Sequence, residues 1–415
     1  MQTIHNHAKE MIKTIIAENM PQPAVKTALK QHNFNKNTYV VAIGKAAWTM
    51  AKAAADYLGE RIVRGIVVTK YAHASGPIPR FEIYEAGHPV SDENTILATG
   101  KCIQLAKALT KDDELLFLVS GGGSALFEKP MDGVTLEDIQ DITNQLLASG
   151  ADIVEMNMIR KRSSSVKAGR FAKLAEPAQV YAIILSDVLG DRLDSIASGP
   201  AVPDHSTAKD AIKVAEKYNL KLSGNQRQYL TQETPKDINN VKTVITGSVR
   251  TLSESAAKVA LALGYTPVIL TTTMNCEAAE AGRFLATIAA DTRDNRNSFK
   301  PPCAIIAGGE TVVTLKGNGK GGRNQEIALS AAKGIAGLES VLIFSLGSDG
   351  TDGPTNAAGG IVTGETLVKL RQKGLDIDKY LENNDSYNAL KAADGLIITG
   401  PTGTNVNDVT VILCR

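Results

Sequence analysis

The 415-residue chain has only four cysteines, Cys102, Cys276, Cys303 and Cys414, and no two of them form a CxxC pair. That scatter argues against a zinc site and against a disulfide framework, and each cysteine reads as a small buried hydrophobe. An excess of either charge is also missing. Forty-five basic residues against 44 acidic ones leave +1, which offers no electrostatic footprint for a nucleic-acid polymer. No apolar run approaches the length of a membrane span, and the start, MQTIHNHAKEMIKTIIAENMPQP, is too polar for a signal peptide. The expectation is a cytoplasmic protein with no membrane partner. Internal repeats and low-complexity tracts are lacking, so two halves should be different folds rather than a duplication. Three catalytic signatures are absent as well. There is no GxSxG elbow and Ser124 has no local base, which disfavours nucleophilic hydrolysis. There is no GxxxxGK[ST] phosphate loop, and DGTDG at 349–353 lacks the spacing and closing glutamate of a calcium loop. His73 and His88 have no partner at a metal-ligand spacing and read as structural, although His88 could line a cleft.

What is present is a globular pattern: 43% hydrophobic residues in a chain long enough for two domains. Short β-branched runs alternate with helical ones: YVVAIG, a helix from Ala46 to about Leu58, GIVVTK, a helix near Thr95 to Ala108, then LLFLVS. This βαβ punctuation predicts a largely parallel sheet covered on both faces, with ligands at the carboxyl ends of its strands. Around 219–242 the text turns polar and irregular, and the alternation restarts with TVITGS, which places a domain boundary between 1–235 and 236–415.

The motifs fall at strand ends. In GGETVVTLKGNGKGGRNQEIALSAAKG, residues 308–334, a strand-like TVVTLK runs into a glycine-rich basic turn and a helix, which reads as an anion cradle closed by Lys320 and Arg323. The turn contains a GxGxxG at Gly317, Gly319 and Gly322. A dinucleotide site would want an acid at the exit of the next strand, whereas Glu339 precedes VLIFSL, so a phosphate or substrate anion is the preferred guest. A merely flexible turn is the bland alternative. Lys45, in the turn after VVAIG, opposes the helix dipole unless an anion lies between them; otherwise it is a solvated lysine. Ser120, Gly121, Gly122, Gly123 and Ser124 end LLFLVS in a side-chain-poor turn suited to an anion. The run from Arg160 to Arg170 reads largely as a solvated charged surface, Arg162 especially, with Lys167 open to an anion. Asp187 and Asp191 follow VYAIILS, where they suit either magnesium with attached phosphates or helix capping. Asp349 and Asp352 follow VLIFSL, and Asn405 and Asp408 precede the last strand.

As an ordered set, IGKAA at 43–47, AGHPVSDEN at 86–94, SGGGSAL at 120–126, SDVLGD at 186–191, IASGP at 196–200, GGRNQE at 321–326, GSDGTDGPTNAAG at 347–359 and TGPTGTNVND at 399–408 resemble the type II glycerate kinase family. Its carboxyl-terminal half is called the MOFRL domain. The resemblance implies an α/β protein with a Rossmann-like, largely parallel three-layer sheet domain and a smaller α/β MOFRL domain, the active site lying in the cleft between them. It implies ATP-dependent, magnesium-requiring phosphorylation of D-glycerate to 2-phosphoglycerate, with Lys45 and Arg323 catalytic. On this reading Asp187 positions the attacking hydroxyl or magnesium, and Asp191 and Asp349 are further metal ligands. Ser120, Gly121, Gly122, Gly123, Ser124, Gly321, Gly322 and Asn405 hold phosphates or the substrate carboxylate. Which loop takes ATP and which takes glycerate stays open, as does a homodimer. The family's usual KGG is KAG here, with Ala168 for glycine. Two rivals remain: an NAD(P)H-dependent hydroxypyruvate reductase and a non-catalytic sensor of sugar acids or nucleotides.

Overall fold

The computed structural model describes residues 2–186 and 188–415, and of Asp191 the backbone alone. The expectation attached to Asp187 therefore lies outside the described residues.

The chain divides into two compact units, Pro21–Thr246 and the residues up to Met20 together with Gly247–Arg415. The first is built on β1 (Asn37–Ile43), β2 (Ile62–Lys70), β3 (Phe81–Ala86), β4 (Asp113–Val119), β5 (Gln179–Leu185) and β6 (Val241–Gly247), in the order β3-β2-β1-β4-β5-β6. The pairings β2–β3, β1–β2, β1–β4 and β4–β5 are parallel. This is the strand order of the dinucleotide-type doubly wound sheet, and its direction reverses between β1 and β4. β4 is buried along its whole length, as its unbroken run of Leu, Phe and Val requires when helices cover both faces. The expected helices form at Ala47–Leu58 and Glu93–Lys107. The second starts where Asp92 accepts from the Thr95 N–H at 2.9 Å while the Thr95 hydroxyl accepts from the Asp92 N–H at 3.1 Å, a reciprocal cap. Beneath the sheet Phe117, Phe127 and Phe171 pack with centroids 4.9 to 6.0 Å apart.

The second unit carries β7 (Thr266–Met274), β8 (Cys303–Gly309), β9 (Val341–Gly347), β10 (Gly359–Thr363), β11 (Leu396–Ile397) and β12 (Asp408–Cys414), in the order β11-β10-β9-β12-β8-β7. Only β7–β8 is parallel; the other four pairings are antiparallel. Because β12 runs against β8 and β9, its first residue, Asp408, sits opposite their last ones, Gly309 and Gly347. The start of one strand thereby joins the ends of two others.

Two features depart from a division at 235/236. TVITGS is not the opening of the second sheet but β6, the edge of the first. Helix Gln2–Glu18 belongs with the second unit, where Ile4, Ala8, Met11, Ile12 and Ile15 are buried, His7 meets Tyr265 at 3.0 Å, and Glu18 takes Lys258 at 2.7 Å. An amphipathic helix settles on whichever apolar face accepts its stripe, and chain position does not restrict that choice. Of the cysteines, Cys102, Cys303 and Cys414 are buried free thiols as expected, but Cys276 is exposed.

Candidate functional site

In the first unit, strand ends converge where the strand order reverses. After β1, Gly44 adopts φ 108°, and a Cβ there would lie 2.4 Å from the Ser120 carbonyl oxygen, so only glycine lets the β1 and β4 turns touch. The turns are tied directly: Lys45 N–H donates to Gly121 O at 2.9 Å, Ala46 N–H to Ser120 Oγ at 3.1 Å, and Ser120 N–H to Ile43 O at 3.0 Å. Ser120 is thereby a buried strut of the turn, whereas the Gly121 and Gly122 N–H groups have no acceptor among the described residues. Lys45 stands two residues before helix Ala47–Leu58, and its ammonium has no hydrogen-bond or ion-pair partner among the described residues. Unpaired N–H groups beside an unpaired ammonium suit a phosphate.

Sequence reasoning undervalued His88. A Cβ on Gly122, which has φ 83°, would lie 3.0 Å from His88 Nε2 and 3.2 Å from Lys45 Cγ, so the imidazole, the lysine and the glycine turn share one spot. Burial holds the His88 pKa below its ordinary value, and Lys45, Lys70 and His73 push it lower still. The overlooked signal was its place two residues after β3, at the same sheet end as the other motifs.

The basic run 160–170 is mostly interior. Lys161, Arg162 and Lys167 are at most 3% exposed, which overturns the solvated reading. Arg162 donates to Met158 O at 2.9 Å and to Ser206 Oγ at 3.1 Å, and Lys161 meets Asp204 at 3.4 Å. Lys167 Nζ donates to Glu128 at 2.6 Å, Ser124 O at 2.9 Å and Phe127 O at 3.2 Å, so it is a strut and not an anion receiver. Ala168 occupies φ 55°, the left-handed region where the family places glycine.

The anion-cradle reading of residues 317–322 needs correction. TVVTLK is not a strand: β8 ends at Gly309, and Thr314 gives both its N–H and its hydroxyl to the Glu277 carboxylate at 2.9 Å. Five successive N–H groups then go to one neighbouring loop: Lys316 and Gly317 to Asn384 Oδ1, Asn318 to Asn383 Oδ1, Gly319 to Asn383 O, and Lys320 to Asp385 Oδ1. The glycines allow that loop to approach. A Cβ on Gly317, Gly319, Gly321 or Gly322 would lie 2.2 to 2.5 Å from Asn383, Ser386 or Asp352. Lys320 lies over the Tyr387 ring, 4.6 Å from its centroid. The start of helix Arg323–Gly334 is also taken, because the Asp352 carboxylate accepts from Asn324 N–H at 3.1 Å and Gln325 N–H at 2.8 Å. Gly321 and Gly322 thus seat a clasp, and the GxGxxG follows no strand.

Arg323 nevertheless stands at a prepared place. Its Nε and Nη2 donate to the two Asp408 oxygens at 2.6 and 3.3 Å, and Nη1 donates to Glu310 at 2.7 Å. Burial alone would lower its pKa, but Asp408 and Glu310 override that and raise it, fixing a permanent charge. Burial pushes the Asp408 carboxyl up to about 7, and Arg323 pulls against that rise. Glu310 follows β8 directly and was not singled out from the sequence; its strand-end position was the available signal. Asp349 Oδ1 accepts from its neighbour Thr351 N–H at 2.9 Å, and Asn405 Oδ1 from Asn407 N–H at 3.2 Å, so both side chains brace their own loops. Among the described residues no three His, Cys, Asp or Glu side chains gather as for a metal ion.

Glu326, in the first turn of the same helix, is 3% exposed, and burial pushes its carboxyl up to about 7. An acid whose folded pKa exceeds its unfolded value of 4.5 stabilises the fold fully below that value, and loses the contribution as pH rises towards 7. Thermal melts between pH 4.5 and 8 should therefore show falling stability, and Glu326→Gln should flatten the profile by up to about 3 kcal/mol. An unchanged profile in the variant would remove Glu326 as the cause.

Two family models match the chain: a domain of unknown function, DUF4147, over residues 7–231 and the MOFRL family over residues 303–408. A D-glycerate 2-kinase of Thermotoga maritima is 53% identical over 99% of this chain and 98% of its own length. A crystal structure of glycerate kinase from Thermotoga maritima, 53% identical, superposes over 100% of both chains with a TM-score of 0.98. A putative hydroxypyruvate reductase of Agrobacterium vitis is 41% identical over 90% of this chain and 86% of its own length.

Proposed function

Since the chain belongs to the type II glycerate kinase family, which joins the DUF4147 and MOFRL domains, we propose that it transfers the γ-phosphoryl group of ATP to the 2-hydroxyl of D-glycerate. The observation that carries this reading is the turn at the strand-order reversal, where the Gly121 and Gly122 N–H groups and the nearby Lys45 ammonium have no partner among the described residues. Phosphoryl transfer asks a protein chiefly to position its reactants and to neutralise charge on the moving group. Lys45 and Arg323 are the fixed cations we assign to that neutralisation. The turn 120–124 is assigned to anion binding, with Gly121, Gly122 and Gly123 as the donor backbone and Ser120 and Ser124 as its braces. Gly321, Gly322 and Asn405 are assigned to holding the loops around Arg323.

Magnesium fits this donor set only as an ion carried largely by phosphate and water, since it commonly takes one or two protein carboxylates. Asp187 and Asp191 stay the proposed carboxylates and Asp349 a secondary one. When bound, the ion would supply charge neutralisation on the phosphates. The free thiols Cys102, Cys276, Cys303 and Cys414 support a cytoplasmic setting. The reductase alternative loses its footing here, because the turn that suggested a dinucleotide is filled by residues 383–386.

The test is a coupled ADP-release assay with ATP, magnesium and D-glycerate, with the phosphate position of the product read by NMR. Glycerate-dependent ADP and a 2-phospho product are expected. Silence in that assay, with NADH oxidised by added hydroxypyruvate, would overturn the reading.

A further inference from the structure

We propose that Arg160 receives the carboxylate of the substrate acid beside the turn 120–124; the inference rests on the kinase reading above and adds the residue that selects an acid. Five cations lie between positions 160 and 170, and four have partners. Lys161 meets Asp204, Arg162 meets Ser206 and Met158 O, Lys167 meets Glu128, and Arg170 donates to Lys161 O at 2.6 Å. Arg160 alone makes no hydrogen bond or ion pair among the described residues, and its Nε is enclosed without an acceptor. Burial holds its pKa below the ordinary arginine value. A guanidinium nitrogen enclosed without an acceptor is costly, and a ligand that supplies the acceptor relieves that cost.

Its location names the ligand. Arg160 ends helix Ile153–Arg160 one turn beyond Asn157, on the same helix face. Asn157 Oδ1 accepts from Ser198 Oγ at 3.1 Å, and Ser198 Oγ lies 3.2 Å from Ser124 Oγ. Ser198 and Ala197 hold left-handed backbone, φ 59° and 51°, which is rare away from glycine and tends to persist where a site requires it. Arg160 is also electrostatically coupled to Glu128 and to Lys167, whose ammonium grips Ser124 O. Two cations against the Glu128 carboxylate leave one positive charge, which matches a monoanionic carboxylate better than a phosphate. The planar fork of a guanidinium also accepts both carboxylate oxygens at once.

The test uses the full chain with Arg160→Gln and Arg160→Lys. The expected loss appears as a rise of roughly 30- to 100-fold in KM for D-glycerate with Gln, smaller with Lys, while KM for ATP stays within about 3-fold. A thermal-shift titration with D-glycerate alone should show stabilisation of the parent and none of the Gln variant. A variant with unchanged glycerate KM and thermal shift overturns the proposal, and so does a rise confined to KM for ATP, which would place a phosphate at Arg160. If the parent releases no ADP with D-glycerate, the kinase reading has failed, and the titration still decides Arg160: a shift lost on substitution supports the carboxylate site, and no shift in the parent ends it.

Discussion

Lys45→Ala is expected to lower kcat about 10²- to 10³-fold while leaving the melting temperature almost unchanged. The two halves of that expectation come from one observation. The ammonium has no partner among the described residues, so its removal breaks no hydrogen bond or ion pair there, and losses of this kind usually stay within about 0.5 kcal/mol. The backbone of Lys45 remains tied to Gly121 O, so the free N–H groups of the turn keep their geometry. Steady-state kinetics and a melt on the same preparation check both. A kcat within a few-fold of the parent would remove Lys45 from the chemistry.

Arg323→Ala should be worse, because two losses add. Activity should fall by about 10³-fold or more if a fixed cation neutralises the moving phosphoryl group. Stability should fall by about 3–5 kcal/mol, since the Asp408 side chain, 7% exposed, would be left buried without its partner. The double variant Arg323→Ala with Asp408→Asn separates the two. It removes the stranded buried carboxyl and should recover much of the denaturation midpoint, yet regain no activity. Recovery of both would mean that Arg323 acts by holding the fold. Arg323→Lys should keep a charge but lose the two-point grip on Asp408 and the third bond to Glu310, and so fall between the parent and Ala.

Strand ends were the most readable part of this chain. Alternating β-branched runs and helices indicated a parallel sheet, and the rule that ligands gather at carboxyl ends pointed to Lys45 and the turn 120–124, whereas Arg323 was reached through TVVTLK, which is not a strand. The same rule would have reached His88 and Glu310 had it been applied without regard to residue type. The GNGKGG turn misled because glycine permits close approach by anything, and here the visitor is the protein's own loop at 383–386. The run 160–170 misled for a related reason: the carboxylates that neutralise it, Glu128 and Asp204, lie more than 30 residues away and carry no local signature. TVVTLK has strand composition, but side chains of Glu277 and Asn384 take its backbone bonds.

Helix Gln2–Glu18 leaves the ribosome well before the surface it covers, which is encoded after residue 247. Residues 21–246 are thus an insertion, in chain order, within the unit that owns the helix, and they can complete their sheet while that unit is still unfinished. For most of synthesis the stripe of Ile4, Met11, Ile12 and Ile15 waits uncovered, in an ordering that favours one sequence of assembly over the other. The entropy of closing so long a loop grows only logarithmically with its length, so the waiting helix costs the finished protein little in equilibrium stability. The vulnerable interval belongs to the growing chain, when a holdase or a protease can reach an apolar stripe that the mature fold hides.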